Sequence, residues 1–333
     1  MNTNSSRRGS PDLDSKPPLI VLAGPTASGK SDVAVHMAEA LDTEIISADS
    51  VQVYRRFNIG TAKPSARLRE RVRHHLVDCA DPGENFTAVR FRNEAARIAR
   101  RLWSGGRIPL VAGGTGLYIK ALVEGLSCGI KVSPEVESEI ERIAAAEGQS
   151  GLYERARAID PEWTARIHPN DSFRVRRVIG VFMTGGKRMS DIFRQDPDEA
   201  EWDTLFIVLD PPRKVLHERI ERRCLAMLES GWRDETMRLM KMGYNHNTKA
   251  MRSLGYKTLL EEAEGKVSRD DTARVIMKNT KAFAKRQLTW FRKVDNAIFI
   301  PVDEKDTAEE LADRILGRDD VKVFLERHKI ADS

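Results

Sequence analysis

Residues 24–31 have the sequence Gly-Pro-Thr-Ala-Ser-Gly-Lys-Ser, a complete G-x-x-x-x-G-K-[ST] phosphate loop. An apolar run at 19–23 precedes this loop, and an amphipathic segment follows it. In such a loop, successive backbone N–H groups converge on an anion at the N-terminus of the following helix. Lys30 adds a positive charge, and Ser31 adds a hydroxyl that can bind magnesium. The spacing therefore predicts a polyphosphate site, but it does not distinguish ATP from another polyphosphate or a diphosphate leaving group.

Apolar runs typical of buried strands recur at residues 19–23, 44–48, 108–112 and 205–209. Helical patterns, such as 86–104, lie between them. This alternation predicts an α/β fold with a parallel, P-loop NTPase-like sheet flanked by helices. Three of the strands end in polar turns, at 24–31, 49–50 and 113–116. Because ligands bind at the carboxyl ends of parallel strands, we expect these turns to surround one site.

The strand signal disappears between residues 127 and 200, where segments 134–147, 149–159 and 172–184 have helical patterns. We therefore predict a helical insertion domain at 127–200 within a core formed by 17–126 and 201–300. After the last predicted strand, further helical patterns follow at 213–230, 232–243, 253–264, 268–278 and 279–294. Residues 1–16 are polar and predict a disordered tail, and 301–333 form an acidic C-terminal segment.

Composition limits the compartment and the partners. The N-terminus has no apolar signal region, and no run approaches the roughly 20 apolar residues of a membrane span. Cys79, Cys128 and Cys224 are far apart, which indicates a reducing cytoplasmic compartment without structural zinc. Residues 213–293 hold 20 Lys and Arg against 10 Asp and Glu. Such a block is either a solvated surface or a footprint for a phosphate backbone.

Polar residues follow the predicted strands. Asp49 would hold magnesium through water, accept a proton from a substrate, or cap a helix. Thr115, in the glycine-rich turn 113–118, presents a free hydroxyl. The turn 59–64 carries one exposed base, Lys63, and is either a linker or part of an acceptor site.

Two further features come from the helical C-terminal half. Arg219 and Arg223 stand at i and i+4 of one helix, a spacing that suits a diphosphate but is also common on plain surfaces. Residues 285–293 interleave aromatic and charged side chains, and we expect Trp290 and Phe291 to be core residues and not base-stacking ones.

The ordered combination of motifs is more specific than any single one. Seven occur in sequence: Gly-Pro-Thr-Ala-Ser-Gly-Lys-Ser, Ser-Ala-Asp-Ser-x-Gln-Val-Tyr, Ile-Gly-Thr-Ala-Lys-Pro, Gly-Gly-Thr-Gly-Leu-Tyr, Arg-Ile-His-Pro-Asn-Asp, Leu-Asp-Pro-Pro-Arg and Lys-Arg-Gln-Leu-Thr-Trp-Phe-Arg. Over about residues 18–293, the chain resembles the bacterial tRNA dimethylallyltransferase family, also called the tRNA isopentenyltransferase family.

The resemblance implies a magnesium-dependent transfer of a dimethylallyl group from dimethylallyl diphosphate. The acceptor would be N6 of the adenosine 3′-adjacent to the anticodon, in tRNAs that read codons starting with U. We therefore expect a cytoplasmic, monomeric enzyme whose partner is the tRNA anticodon stem-loop.

The resemblance also implies roles for individual residues. The catalytic residues would be Asp49 as the base, with Thr115 and Lys30. The metal ligand would be Ser31. The diphosphate would be bound by Gly24, Pro25, Thr26, Ala27, Ser28, Gly29, Lys30, Ser31, Arg223 and, as a second choice, Arg219. The tRNA would be bound by Asp49, Ser50, Val51, Gln52, Thr115, Phe173, Arg174 and Arg177.

The chain departs from the family pattern at two positions. Phe173 stands where the family usually has Gln, which leaves stacking on RNA in place of an amide hydrogen bond. Gly180 stands where an acidic residue is common, and the sequence offers no reason for it.

Three rival functions share some of these features. A small-molecule kinase would use the phosphate loop but would not explain the basic helical block. An isopentenyltransferase for free adenylate would not need the insertion. A non-enzymatic RNA-binding module would not need the phosphate loop together with Asp49.

Overall fold

The computed structural model describes residues 16–125, 130, 132–195 and 201–329. The chain forms two compact units, one from Met1–Val123 with Glu201–Ser333 and the other from Glu124–Ala200. Residues 1–15 of the predicted tail and Cys128 lie outside the described residues. Across the described ranges, no helix is both long and apolar enough to cross a bilayer.

The described part of the first unit contains one parallel sheet with the strand order β3-β2-β4-β1-β5-β6. The strands are β1 (Pro18–Ala23), β2 (Ile45–Ala48), β3 (His74–His75), β4 (Leu110–Gly113), β5 (Asp203–Asp210) and β6 (Ile298–Pro301). Every residue of β1 is buried, and its side chains alternate between two hydrophobic clusters, one on each face of the sheet. The α/β fold predicted from the sequence is confirmed.

The helices pack on both faces of this sheet or belong to the second unit. In chain order they are α1 (Lys30–Ala40), α2 (Ala66–Arg71), α3 (Ala88–Ser104), α4 (Gly116–Val123), α5 (Pro134–Ile159), α6 (Pro161–Thr164), α7 (Ser172–Gly185), α8 (Met189–Gln195), α9 (Arg213–Glu229), α10 (Trp232–Lys241), α11 (Tyr256–Ala263), α12 (Arg269–Phe291), α13 (Ala308–Leu316) and α14 (Asp319–Arg327). The prediction of two helices at 268–278 and 279–294 is wrong, because α12 runs without a break through both segments.

The strand order brings the three polar turns together. β4 pairs with β1 on one side and with β2 on the other, so the turns that follow these strands are neighbours at one edge of the sheet. The expectation that 24–31, 49–50 and 113–116 meet is confirmed. This edge therefore holds the candidate site.

The acidic C-terminal residues pack on the core of the first unit. β6 extends the sheet beside β5. Leu311 and Ile315 of α13 and Phe324 of α14 join the cluster that contains Val33 and Met37 of α1. The C-terminus thus supports the helix that begins at the phosphate loop.

The second unit is helical and has its own core. Gly148, at φ 68°, interrupts α5, so the sequence forms the two predicted helical segments there. The buried Asp160 carboxylate caps α6 by accepting the Trp163 N–H, and it also accepts the Ser190 N–H at 2.8 Å. A Cβ at Gly180 would lie 2.9 Å from a methyl group of Val132. The glycine therefore permits close packing where an acidic side chain would clash.

Candidate active site

The phosphate loop joins β1 to α1 and has the geometry of an anion site. Gly29 adopts φ 90° and caps α1, whose first residue is Lys30. The first amides of a helix have no acceptor within it, so those of Lys30 and Ser31 point out of the helix end. The Lys30 ammonium donates a hydrogen bond to the Pro25 carbonyl, at 3.2 Å. The loop thus presents backbone donors and a positive charge together.

Two cavities of about 350 and 330 Å³ open beside this loop. Both are lined by Thr26, Lys30, Asp49, Thr61, Ala62 and Arg223. The first extends along the phosphate loop to Ser31 and Arg219. The second has an apolar wall that includes Ile220, Met227 and Phe283. Two ligands in these cavities would meet at the shared residues.

Asp49 lies where the cavities meet, directly after β2. Its Oδ1 accepts the backbone N–H groups of Val51, at 2.8 Å, and Gln52, at 3.1 Å. Within the described residues, its Oδ2 makes no hydrogen bond. The turn therefore fixes the carboxylate and leaves one oxygen available to a ligand.

Two cations face this carboxylate. Burial lowers the pKa of Lys30 to about 8, while Asp49 opposes the shift and Arg223 adds to it. Burial also lowers the pKa of Arg223, and Asp49 again opposes this. The Arg223 guanidinium donates to the Thr26 hydroxyl. The site thus holds more positive than negative charge, as an anion site requires.

Arg219 and Arg223 differ in their placement. Arg223 lines both cavities, whereas Arg219 lines only the first. Arg219 donates to the carbonyls of Ser28, at 3.4 Å, and Asp303, at 3.3 Å. It therefore ties the phosphate loop to the C-terminal segment.

The predicted free hydroxyl of Thr115 already has a partner. Thr115 Oγ1 accepts the Ser50 N–H at 3.0 Å and lies 3.4 Å from the Ser50 hydroxyl. Ser50, Val51 and Thr115 line the second cavity. The Gln52 side chain instead donates to the carbonyls of Thr61 and Ala62, both at 3.1 Å. Gln52 therefore holds the wall that the two cavities share.

The expectation that Lys63 is exposed is wrong. Its side chain is only 5% exposed. The ammonium donates to the Tyr54 carbonyl, at 2.6 Å, to Asn58 Oδ1, at 3.1 Å, and to Asp78 Oδ1, at 2.6 Å. Lys63 therefore closes the turn 59–64 from inside, because a buried ammonium must satisfy its donors.

The glycine-rich turn 113–116 receives side chains of α12. A Cβ at Gly114 would lie 2.5 Å from Gln287 Nε2, and one at Gly116 would lie 2.6 Å from the Trp290 ring. Gln287 Oε1 accepts the Thr26 N–H at 2.8 Å, and its Nε2 donates to the Gly114 carbonyl at 2.8 Å. The role of Gln287 was missed, although its motif was recognised. Phe291 is fully buried and Trp290 packs against the same core, which confirms that both are core residues.

A second missed residue is Glu235, which is 4% exposed. Its carboxylate accepts the N–H groups of Asn58, at 3.0 Å, of Ile59, at 3.0 Å, and of Gly60, at 3.4 Å. It also accepts the Tyr256 hydroxyl, whose pKa is raised by burial and by this carboxylate. Helix α10 thus holds the turn that carries Thr61 and Ala62. A lone Glu within a helical pattern gives no signal of this contact.

The residues around the phosphate loop suit a hydrated magnesium ion. No group of three or more His, Cys, Asp or Glu side chains able to hold a metal occurs among the described residues. Ser31, Asp32 and Asp49 line the first cavity. Magnesium usually keeps several waters and binds few protein groups together with substrate phosphates. The donor set fits that mode of binding.

Comparison with known proteins identifies a matching family and similar relatives. A family model described as IPP transferase matches residues 52–294. A tRNA dimethylallyltransferase from Geobacter sulfurreducens is 42% identical over 281 residues, which cover 84% of this chain and 90% of that protein. A tRNA dimethylallyltransferase from Syntrophobacter fumaroxidans is 43% identical over 83% of this chain and 81% of that protein.

Two solved structures are also similar to this chain over most of its length. The full-length tRNA isopentenylpyrophosphate transferase from Bacillus halodurans is similar with a TM-score of 0.68 and 33% identity, over 94% of this chain and 100% of that chain. A eukaryotic dimethylallyltransferase acting on tRNA is similar with a TM-score of 0.77 and 26% identity, over 92% of this chain and 79% of that chain.

The lowered pKa of Lys30 predicts a pH-dependent affinity for a diphosphate. Below a pH of about 8 the ammonium is charged and attracts the ligand, and above it the free site loses this charge. We expect the Kd of dimethylallyl diphosphate, measured by calorimetry without an acceptor, to rise above this pH. In Lys30→Arg the charge persists, so the rise should disappear. The same rise in Lys30→Arg would assign the titration to another group.

The buried carboxylate of Glu235 predicts a large stability effect. Glu235→Ala leaves three backbone N–H groups and the Tyr256 hydroxyl without their acceptor, so the free energy of unfolding should fall by ~3 kcal/mol. Glu235→Gln keeps one acceptor oxygen and should lose less. The exposed Glu229, on α9, provides the control Glu229→Ala, which should match the wild type in urea denaturation. Equal stability of all three variants would contradict this role.

Proposed function

The chain belongs to the IPP transferase family, and we propose that its two joined cavities are the place where a dimethylallyl group passes from dimethylallyl diphosphate to tRNA. The chain is a prenyltransferase that acts on tRNA, as are its relatives. The observation that carries the site assignment is that Asp49, Lys30 and Arg223 line both cavities. A base and two cations thus face the point where two substrates would meet.

The diphosphate occupies the first cavity against the phosphate loop. Its oxygens accept the first amides of α1 and face Lys30 and Arg223. As the bond between C1 and the bridging oxygen breaks, negative charge grows on the leaving diphosphate. These fixed donors stabilise that charge more in the transition state than in the ground state. When bound beside Ser31, magnesium neutralises further charge on the diphosphate.

The target adenine enters the second cavity and presents N6 to Asp49. The N6 lone pair forms the new bond to C1, and the N6 proton passes to the free oxygen of the Asp49 carboxylate. An exocyclic adenine amine is a weak nucleophile because its lone pair is delocalised into the ring. A positioned general base contributes ~10²–10⁴-fold to such a step. The products are N6-dimethylallyladenosine and diphosphate.

Reaching N6 requires that the base leave its stack, which costs a few kcal/mol. Exposed side chains of the second unit support the proposal that this unit binds the RNA. Phe173 is 81% exposed at the start of α7, which suits stacking on an unpaired base. The neighbouring Arg174 has a 69% exposed side chain held by Asp171. Arg177 donates to the Ile130 carbonyl at 2.8 Å, so this residue also supports the unit itself.

The resemblance to the family supports a particular acceptor position. We propose that the modified base is the adenosine 3′-adjacent to the anticodon, in tRNAs that read codons starting with U. The enzyme acts as a monomer in the cytoplasm. The basic segment 213–293 adds electrostatic attraction for the anticodon stem-loop.

The proposed reaction is tested by the choice of acceptor. Radiolabelled dimethylallyl diphosphate is incubated with magnesium and with tRNA, AMP or ATP, and the labelled nucleoside is located after nuclease digestion. We expect label only in tRNA, at the adenosine beside the anticodon. Label in AMP would instead support a free-adenylate transferase, and phosphate transfer from ATP would support a kinase.

Asp49→Asn separates binding from chemistry. The amide keeps the shape of the side chain but does not accept the proton, so kcat should fall by ~10²-fold or more. The Kd of dimethylallyl diphosphate should stay the same or decrease, because the variant removes a negative charge beside Lys30 and Arg223. Near-normal turnover would exclude Asp49 as the base.

RNA binding by the second unit is tested with two of its arginines, each of which has a similar ion pair. Arg174 pairs with Asp171, and Arg142 pairs with Glu139, each at a spacing of i,i+3. Arg174→Ala should raise the KM for tRNA and lower the salt slope of binding by about 1, since one phosphate contact releases about one counterion. Arg142→Ala should leave both unchanged. Equal effects would indicate general attraction and not a contact by Arg174.

A further inference from the structure

One face of α12 carries side chains into the second cavity. Ile276, Thr280, Phe283 and Gln287 recur at helical spacing and line its wall. Gln287 is the last of them and is only 8% exposed. It is also the one whose side chain bonds to two separate loops of the site.

Each bond of the Gln287 amide holds a different part of the site. Its oxygen accepts the N–H of Thr26, a phosphate-loop residue that lines both cavities. Its nitrogen donates to the carbonyl of Gly114, the residue before Thr115. Thr115 in turn accepts the N–H of Ser50, directly beside Asp49. One side chain therefore connects the loop that holds the leaving group to the loops that hold the base.

The turn at Gly114 leaves room for this amide. A Cβ there would lie 2.5 Å from Gln287 Nε2 and 3.3 Å from the Gly24 carbonyl. A larger residue there would therefore displace the Gln287 amide from its place between the two loops. Both hydrogen bonds are 2.8 Å long, one partly buried and one buried. Burial strengthens such bonds because the local dielectric constant is low.

We propose that Gln287 is a positioning residue for prenyl transfer, which sets the separation between the diphosphate loop and Asp49. The proposal rests on the proposed function, because it concerns the same two substrates. Without the amide, Thr26 and Gly114 lose their common anchor, and C1 of the donor and N6 of the acceptor lose their alignment. A misplacement of about 1 Å can cost ~10²-fold in rate.

Gln287→Ala tests this proposal through the split between kcat and affinity. We expect kcat to fall by ~10²-fold, while the Kd of dimethylallyl diphosphate changes little, because the Lys30 and Arg223 charges and the α1 amides remain. The control is Thr289→Ala, on the exposed side of the same helix, which should retain the wild-type kcat. A loss of kcat below threefold, or one explained by the unfolded fraction in a thermal melt, would overturn the proposal.

Gln287→Glu provides a nearly isosteric second variant. Its carboxylate still accepts the Thr26 N–H but places an oxygen against the Gly114 carbonyl. Protonation restores a donor there, so kcat relative to wild type should recover as the pH is lowered from 8 to 6. Taking the ratio removes the effect of groups that titrate in both proteins. A kcat equal to that of the wild type at every pH from 8 to 6 would contradict a role for this hydrogen bond.

These results are separable from failure of the proposed function. If the wild-type enzyme transfers no label to tRNA, the proposed function fails, whatever the variants do. If the wild type is active and Gln287→Ala is equally active, only the positioning role fails.

Discussion

The rest of the site depends on an unbalanced set of charges. Lys30 and Arg223 face one carboxylate, Asp49, in surroundings that exclude enough water to lower the pKa of both cations. Partly desolvated cations without enough counter-charge are unfavourable, and the diphosphate of the proposed reaction would supply the missing negative charge. The same Asp49 limits how strongly the site attracts an anion, yet in the proposed reaction it is the group that accepts a proton. In the proposed reaction, this balance of charge favours release of the diphosphate over tight binding.

Side chains from the C-terminal half of the chain hold the loops of the site in place. Arg223 reaches the loop from α9, Glu235 holds the turn 59–64 from α10, and Gln287 bridges two loops from α12. Each of these side chains bonds to backbone or side-chain groups far away in sequence. The phosphate loop gives an anion site, and these contacts hold the walls of the second cavity, where the proposed reaction places the acceptor.

Local signals allowed the sequence to predict β1, the phosphate loop and the meeting of three turns, since a buried strand followed by a glycine turn has few other structures. The continuity of α12 was not predictable, because Asn279 and Thr280 are weak helix formers and only packing maintains the helix there. The sequence predicts an exposed Lys63 because a lysine in a turn is usually exposed, and its partner Asp78 is not adjacent in sequence. The hydrogen bonds of Gln287 and Glu235 depend on tertiary contacts that no periodicity encodes. The sequence therefore identified the loops of the site but not the side chains that hold them together.

The structure also changes how the basic charge of 213–293 is understood. Several of its cations are already paired, among them Arg233 with Glu262, Arg274 with Asp271 and Lys281 with Glu221.

Lys278 and Lys285 are exposed on α12, on the side opposite to Thr280 and Gln287. The inner side of the helix therefore lines the cavity where the target base would react, while its outer side carries the charge. Charge on that outer side can attract an RNA backbone over a Debye length of about 8 Å. It cannot choose among bases, because sequence-specific RNA recognition needs contact with base edges. In the proposed reaction, selection of the modified adenosine therefore rests with the cavity wall and with the second unit.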